Sequence, residues 1–111
     1  MPTCPVTFDF ASAEDAAAEC RRHAGYLDSL AQVRADARPA AVEEWRGRFR
    51  DDFDCEFTTT QERIADEAAN LRTLAGAIDD AIEAARQLKT TCERDHDHSP
   101  PVPPDRQDGP R

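Results

Sequence analysis

From Ala13 onward, small and apolar residues recur at Ala13, Ala17, Cys20, Ala24, Leu27 and Ala31, in steps of alternately four and three. That spacing marks a helix that packs along its whole length against another. Ser12-Ala13-Glu14-Asp15 opens it as a capping box, with acids where the helix dipole favours them. Arg34 falls in the seam and Pro39 follows. A proline inside a helix frees the carbonyl four residues back and bends the axis. A kink or short break is therefore predicted near residues 36–39, with helix resuming to about Trp45. A second run keeps the rhythm longer: Phe49, Phe53, Phe57, Thr60, Ile64, Ala68, Leu71, Ala75, Ile78, Ile82, Ala85 and Leu88. About forty helical residues would span roughly 60 Å. Two such rods, joined by a turn near residues 45–48, predict an all-α fold: an antiparallel helical hairpin over residues 12–93.

A lone hairpin leaves half of each apolar face open to water, and domains this small rarely stabilise themselves without cross-links or association. The stripe on the second helix is also widened by Leu74, Ala77 and Ala81. Pairing of two hairpins into a four-helix bundle, with itself or with a similar hairpin, resolves this. The expected dimer seam is Leu27, Phe53, Phe57, Ile64, Leu71, Ile78 and Ile82.

The ends differ from the middle. Residues 1–11 read as an extended arm, in which Phe8 and Phe10 alternate around Asp9. Residues 94–111 read as a disordered, proline-rich acidic tail, because five of the eight prolines lie there and Val102 is its one aliphatic residue. Charge then narrows the classes of partner. The 111 residues hold 23 acidic against 14 basic side chains, a net charge of -9, which repels phosphate backbones and anionic membrane surfaces. No stretch is long and apolar enough for membrane insertion. The start, Met1-Pro2-Thr3-Cys4-Pro5, has neither the basic nor the apolar region of a signal peptide.

Candidate chemistry is sparse. Of four cysteines, Cys20 reads as a small buried hydrophobe opposite roughly Leu74, and Cys55 as exposed opposite roughly Pro39–Ala40. An extended arm carries Cys4 past Thr90 to the level of Cys92, so a Cys4–Cys92 disulfide is within geometric reach in an oxidising environment; the alternative is two thiols that never meet. Asp95-His96-Asp97-His98 lies at a fraying helix end, which suits a solvated tail better than a tetrahedral zinc site. Pro100-Pro101-Val102-Pro103-Pro104-Asp105-Arg106 fits the P-x-x-P-x-R spacing read by proline-helix grooves, although an inert linker is the plainer reading. Phosphate-loop, dinucleotide and zinc-protease motifs are absent, as is any Ser-His-Asp set. Neither an enzyme nor a cofactor or metal requirement is expected.

At the turn stands Glu44-Trp45-Arg46-Gly47. A Trp-x-Gly tripeptide midway along a chain of this length, between two heptad-patterned helices, resembles the WXG-hundred (ESAT-six-like) family of small type VII secretion proteins. The resemblance covers about residues 8–92, and Trp45 and Gly47 are the positions that match. It implies a hairpin that dimerises, is handled by a secretion ATPase or accompanies a larger cargo, and leaves the cytoplasm without a signal peptide. Trp45 then either plugs the end of the core or docks a partner. One departure matters: relatives often carry, after the second helix, a tyrosine followed three residues later by an acid, whereas Tyr26 is the sole tyrosine here and lies on the first helix. That leaves room for an alternative, a cytosolic chaperone or adaptor for a larger secreted toxin.

Overall fold

A computed structural model describes residues 7–98. Two helices, α1 (Phe10–Ala41) and α2 (Arg48–His98), pack antiparallel as a hairpin, and no strand occurs among the described residues. The hairpin is a rod 94 Å long and 19 by 15 Å in cross-section.

Three element boundaries differ from the sequence expectation, each for a physical reason. First, α1 begins at Phe10, with Asp9 and not Ser12 as its N-cap. The Asp9 carboxylate accepts from the Ser12 backbone N–H at 3.0 Å and from the Ser12 hydroxyl at 2.8 Å, satisfying a donor that a helix start leaves orphaned. These hydrogen bonds, the backbone one foremost, hold the Asp9 carboxyl below its ordinary pKa. The arm is correspondingly shorter than residues 1–11. Its last residues are tied down, since the Phe8 and Phe10 rings lie 5.0 Å apart, and Arg86 and Lys89 of α2 sit 5.6 and 5.8 Å over the Phe10 ring.

Second, Pro39 neither breaks nor splits α1, which runs through it to Ala41 and stops short of Trp45. Proline costs a helix the hydrogen bond to the carbonyl four residues earlier. Here that carbonyl belongs to Ala35, an exposed residue, and the proline falls in the final turn. Third, α2 has 51 residues and continues past residue 93 to His98, so the first part of the expected tail is helical. Residues 99–111, and the arm before residue 7, lie outside the described residues.

The core is made of alanine. Ala17, Ala24, Ala68 and Ala75 are buried, joined by Val42, Ile82 and Ala85. Ala17 and Ala24 are one heptad apart on α1; Ala68, Ala75 and Ile82 continue the same interval on α2. Methyl groups at these positions let two backbones approach closely. The larger seam residues Leu27, Ile64, Leu71 and Ile78 are consequently pushed to the sides and only half buried.

One long edge of the seam is closed by ion pairs that repeat with the heptad. Glu14 pairs with Arg86 at 2.6 Å, Arg21 with Asp79, and Asp28 with Arg72 at 2.5 Å. The sign alternates along each helix: acid, base, acid on α1 and base, acid, base on α2. Sliding one helix by a heptad would set Glu14 against Asp79 and Arg21 against Arg72. Each pair is about half exposed and contributes little singly. Together they disfavour every neighbouring register. Because three cross-helix pairs share that edge, the flanking positions on the other side of the seam share the opposite face. These are Cys20, Leu27 and Leu30 on α1, with Leu71, Leu74 and Ile78 on α2. Leu74 is half exposed, and the rest of this set is half buried. The hairpin thus has one ionic face and one apolar face.

Ala75 is fully covered, so Ala75→Leu is expected to force the helices apart and lower stability by about 1–3 kcal/mol. Arg21→Ala, at a half-exposed pair, should leave the urea midpoint nearly unchanged. Urea denaturation followed by circular dichroism measures both. Equal losses would mean that the alanine seam is not what holds the hairpin.

Candidate functional site: the aromatic tip

Residues 42–47 make the turn. Val42 is buried, and its N–H reaches the Arg38 carbonyl at 3.1 Å, while the Trp45 N–H reaches the Val42 carbonyl at 3.0 Å. Gly47 then takes φ +84°, the only positive φ among the described residues, and its carbonyl accepts from the Asp51 N–H at 3.1 Å. Gly47 therefore closes the turn and, as the residue before α2, offers its carbonyl to the helix's first hydrogen bond. A side chain there would be strained by the backbone conformation alone, since a Cβ would meet nothing within 4 Å.

Two arginines finish the turn by serving carbonyls that α1 and the loop leave open. Arg46 donates to the Glu43 and Trp45 carbonyls at 3.0 and 2.7 Å, and Arg50 to those of Val42 and Trp45 at 3.2 and 3.5 Å. Arg50 also holds the Asp54 carboxylate at 3.0 Å, and Arg38 reaches the same carboxylate from α1. Burial pushes the Asp54 carboxyl up, but the hydrogen bonds from Arg38 and Arg50 outweigh it and set its pKa below the ordinary value. Arg34, the charged residue in the seam, is accommodated by its neighbours: its Nε donates to Gln61 at 2.8 Å, and its guanidinium lies 5.0 Å over the Phe57 ring.

On this base the aromatic side chains stack outward. Phe57 lies under the guanidinium groups of Arg34 and Arg38, Phe53 stands 5.9 Å from Phe57, and Trp45 meets Phe53 edge-on at 5.4 Å. Phe49 is 83% exposed, so the seam position that its spacing suggested is not where it lies: it sits in the first turn of α2, after α1 has ended. Trp45, 45% exposed, both covers Phe53 and remains open to solvent. An open cleft of about 650 Å³ is lined by Trp45, Phe49 and Phe53 together with the acids Glu44, Asp52 and Glu56 and with Arg46, whose guanidinium is taken up by the carbonyls of Glu43 and Trp45. Such a lining recognises apolar surface with positive charge beside it.

The remaining sequence candidates distribute as follows. Phe53, Phe57, Ile64, Leu71, Ile78 and Leu27 are half buried, whereas Ile82 is buried within the hairpin and has no surface left to offer. Leu88 has turned out of the seam and is exposed. Cys20 and Cys55 are free thiols, the first half buried and the second exposed. Cys20 neighbours the Arg21–Asp79 pair, which places it several residues from the Leu74 level expected. Of the expected Cys4–Cys92 link, Cys4 lies outside the described residues, and Cys92 is disulfide-bonded. Trp45 and Gly47 do come together at the tip, as spacing suggested. Arg38, Arg50 and Asp54 escaped the sequence reading; the i,i+4 interval of Arg50 and Asp54 was the available signal.

No protein family, curated protein or solved structure matches the chain. Any functional reading therefore stands on the sequence and on the geometry above.

Gly47→Ala is expected to cost about 1–2 kcal/mol, from the left-handed backbone alone. Gly76→Ala, inside α2 with open space around it, should instead gain about 0.5–1 kcal/mol. Urea midpoints of the two variants, moving in opposite directions from the parent, check this.

Proposed function

We propose that this chain is a non-enzymatic helical hairpin that works by pairing with a second hairpin, its own copy or a similar chain, in the manner of type VII secretion (ESX-type) substrates and partners. The observation that carries the reading is the division of the rod into an ionic face and an apolar face. The apolar face runs through Leu27, Leu30, Leu71, Leu74 and Ile78 and is left half open by an alanine core too thin to cover it. A second hairpin laid on this face completes a four-helix bundle. The Trp45–Gly47 turn supplies the docking end, for a secretion ATPase or a larger cargo. The disulfide at Cys92 suits an oxidising compartment, which favours export of the chain itself.

The second reading is a cytosolic chaperone or adaptor for a larger secreted toxin. It is favoured by the position of Tyr26, which is exposed on α1 and followed by Leu27-Asp28-Ser29-Leu30, with no tyrosine on α2. Among the described residues no helix is long and apolar enough to cross a membrane, which fits both readings.

Light scattering with circular dichroism on the purified chain should give a cooperative, highly helical dimer. Leu74→Glu, on a side chain the hairpin itself leaves half exposed, should shift the chain toward monomer while keeping its helicity. A dimer indifferent to that change, or a fully folded monomer at all concentrations, would sink the pairing proposal. Fractionation separates the two readings: chain outside the cell, lost on Trp45→Ala, is the exported partner, whereas chain confined to the cytosol while another protein is exported is the chaperone.

A further inference from the structure

The tip cleft and the proline-rich segment answer each other chemically. The cleft offers three aromatic faces, Trp45, Phe49 and Phe53, beside three carboxylates, Glu44, Asp52 and Glu56. The one basic residue in its lining, Arg46, is turned toward the carbonyls of Glu43 and Trp45. Aromatic-lined grooves take polyproline segments because that helix is already extended and loses little entropy on docking. An arginine at the end of such a segment is held by acids at the groove's edge. The sequence supplies this ligand in Pro101-x-x-Pro104-x-Arg106.

We propose that the tip cleft of one copy receives the segment Pro100–Arg106 of a second copy, with the prolines against Trp45, Phe49 and Phe53 and with Arg106 at the acids Glu44, Asp52 and Glu56. Chain length requires the second copy. The cleft lies at the start of α2, and 51 residues of helix set His98 about 75 Å away. Arg106 is eight residues beyond His98 and reaches about 25 Å in a polyproline conformation. A chain's own cleft is therefore out of range, whereas a copy lying antiparallel brings its tip to the other's tail. The inference rests on the pairing reading only in needing that second copy.

Trp45 is the sole tryptophan, so its emission reports on the cleft without labelling. A synthetic peptide of residues 99–111 is titrated into the full chain in dilute solution. The expected result is a saturable blue shift, weakened about tenfold or more when the peptide carries Arg106→Glu and abolished by a scrambled peptide of the same composition. In parallel, concentrating the full chain should shield Trp45, and the full-length Arg106→Glu variant should not show this. Light scattering on the same samples keeps the two proposals apart. Dimers whose Trp45 emission ignores both the peptide and the tail variant overturn the docking and leave pairing intact. A chain that stays monomeric even when concentrated overturns docking between copies, whether or not its cleft takes the free peptide. Equal binding of the scrambled peptide overturns it, because charge attraction alone would then suffice.

Discussion

Everything in this rod follows from how close two helices come when only methyl groups stand between them. Ala17, Ala24, Ala68 and Ala75 fix that approach, and they do so at a price: alanine has little surface to hide from water. A hairpin so built obtains a narrow, well-fitted seam with a modest hydrophobic return. The larger side chains, displaced outward, become edges. One edge is sealed by charge and the other by leucines and isoleucines that remain half wet.

The two edges have different tasks. Ion pairs exposed to water contribute little attraction, but their alternating sign makes each wrong alignment repulsive, so their value lies in specificity. An alanine seam needs such a device, because small identical residues fit one another at several registers. The apolar edge carries no such pattern, so under the pairing proposal shape and area select what covers it. Function in this reading is thus distributed: alignment inside the hairpin, association on one face, recognition at the aromatic tip.

Much of the hairpin was legible in the sequence, and the exceptions are instructive. The four-three steps identified the seam positions of both helices because burial follows helical period directly. Phe49 and Leu88 belong to the same run yet lie exposed. Phe49 precedes the region where α1 is present to cover it, and Leu88 follows two successive steps of three from Ile82, six residues where the seam needs seven, which turns it roughly 100° off the seam. Asp9 and Ser12 are both good caps, and spacing does not rank them; the three-residue reach of the Asp9 carboxylate does. Pro39 looked like a break because its cost was counted without its location, in the final turn of a helix that ends two residues later at Ala41. The tip was found through Trp45 and Gly47, but the arginines that hold it together were not, since a guanidinium's choice between solvent and a backbone carbonyl depends on the folded turn.

The position of the turn relative to the seam also governs how the rod comes apart. Arg38 and Asp54 are 16 residues apart along the chain, whereas Glu14 and Arg86 are 72 apart. Closing the far pairs directly would cost the entropy of a long loop, but closing them in order from Gly47 outward adds only a short increment each time. The hairpin therefore behaves as a zipper with its closed end at the aromatic tip. Partial opening is cheapest at the end where α1 begins, and local unfolding there leaves the tip intact. Cys92 lies at that fraying end, where a covalent link restrains the motion that the alanine seam restrains least.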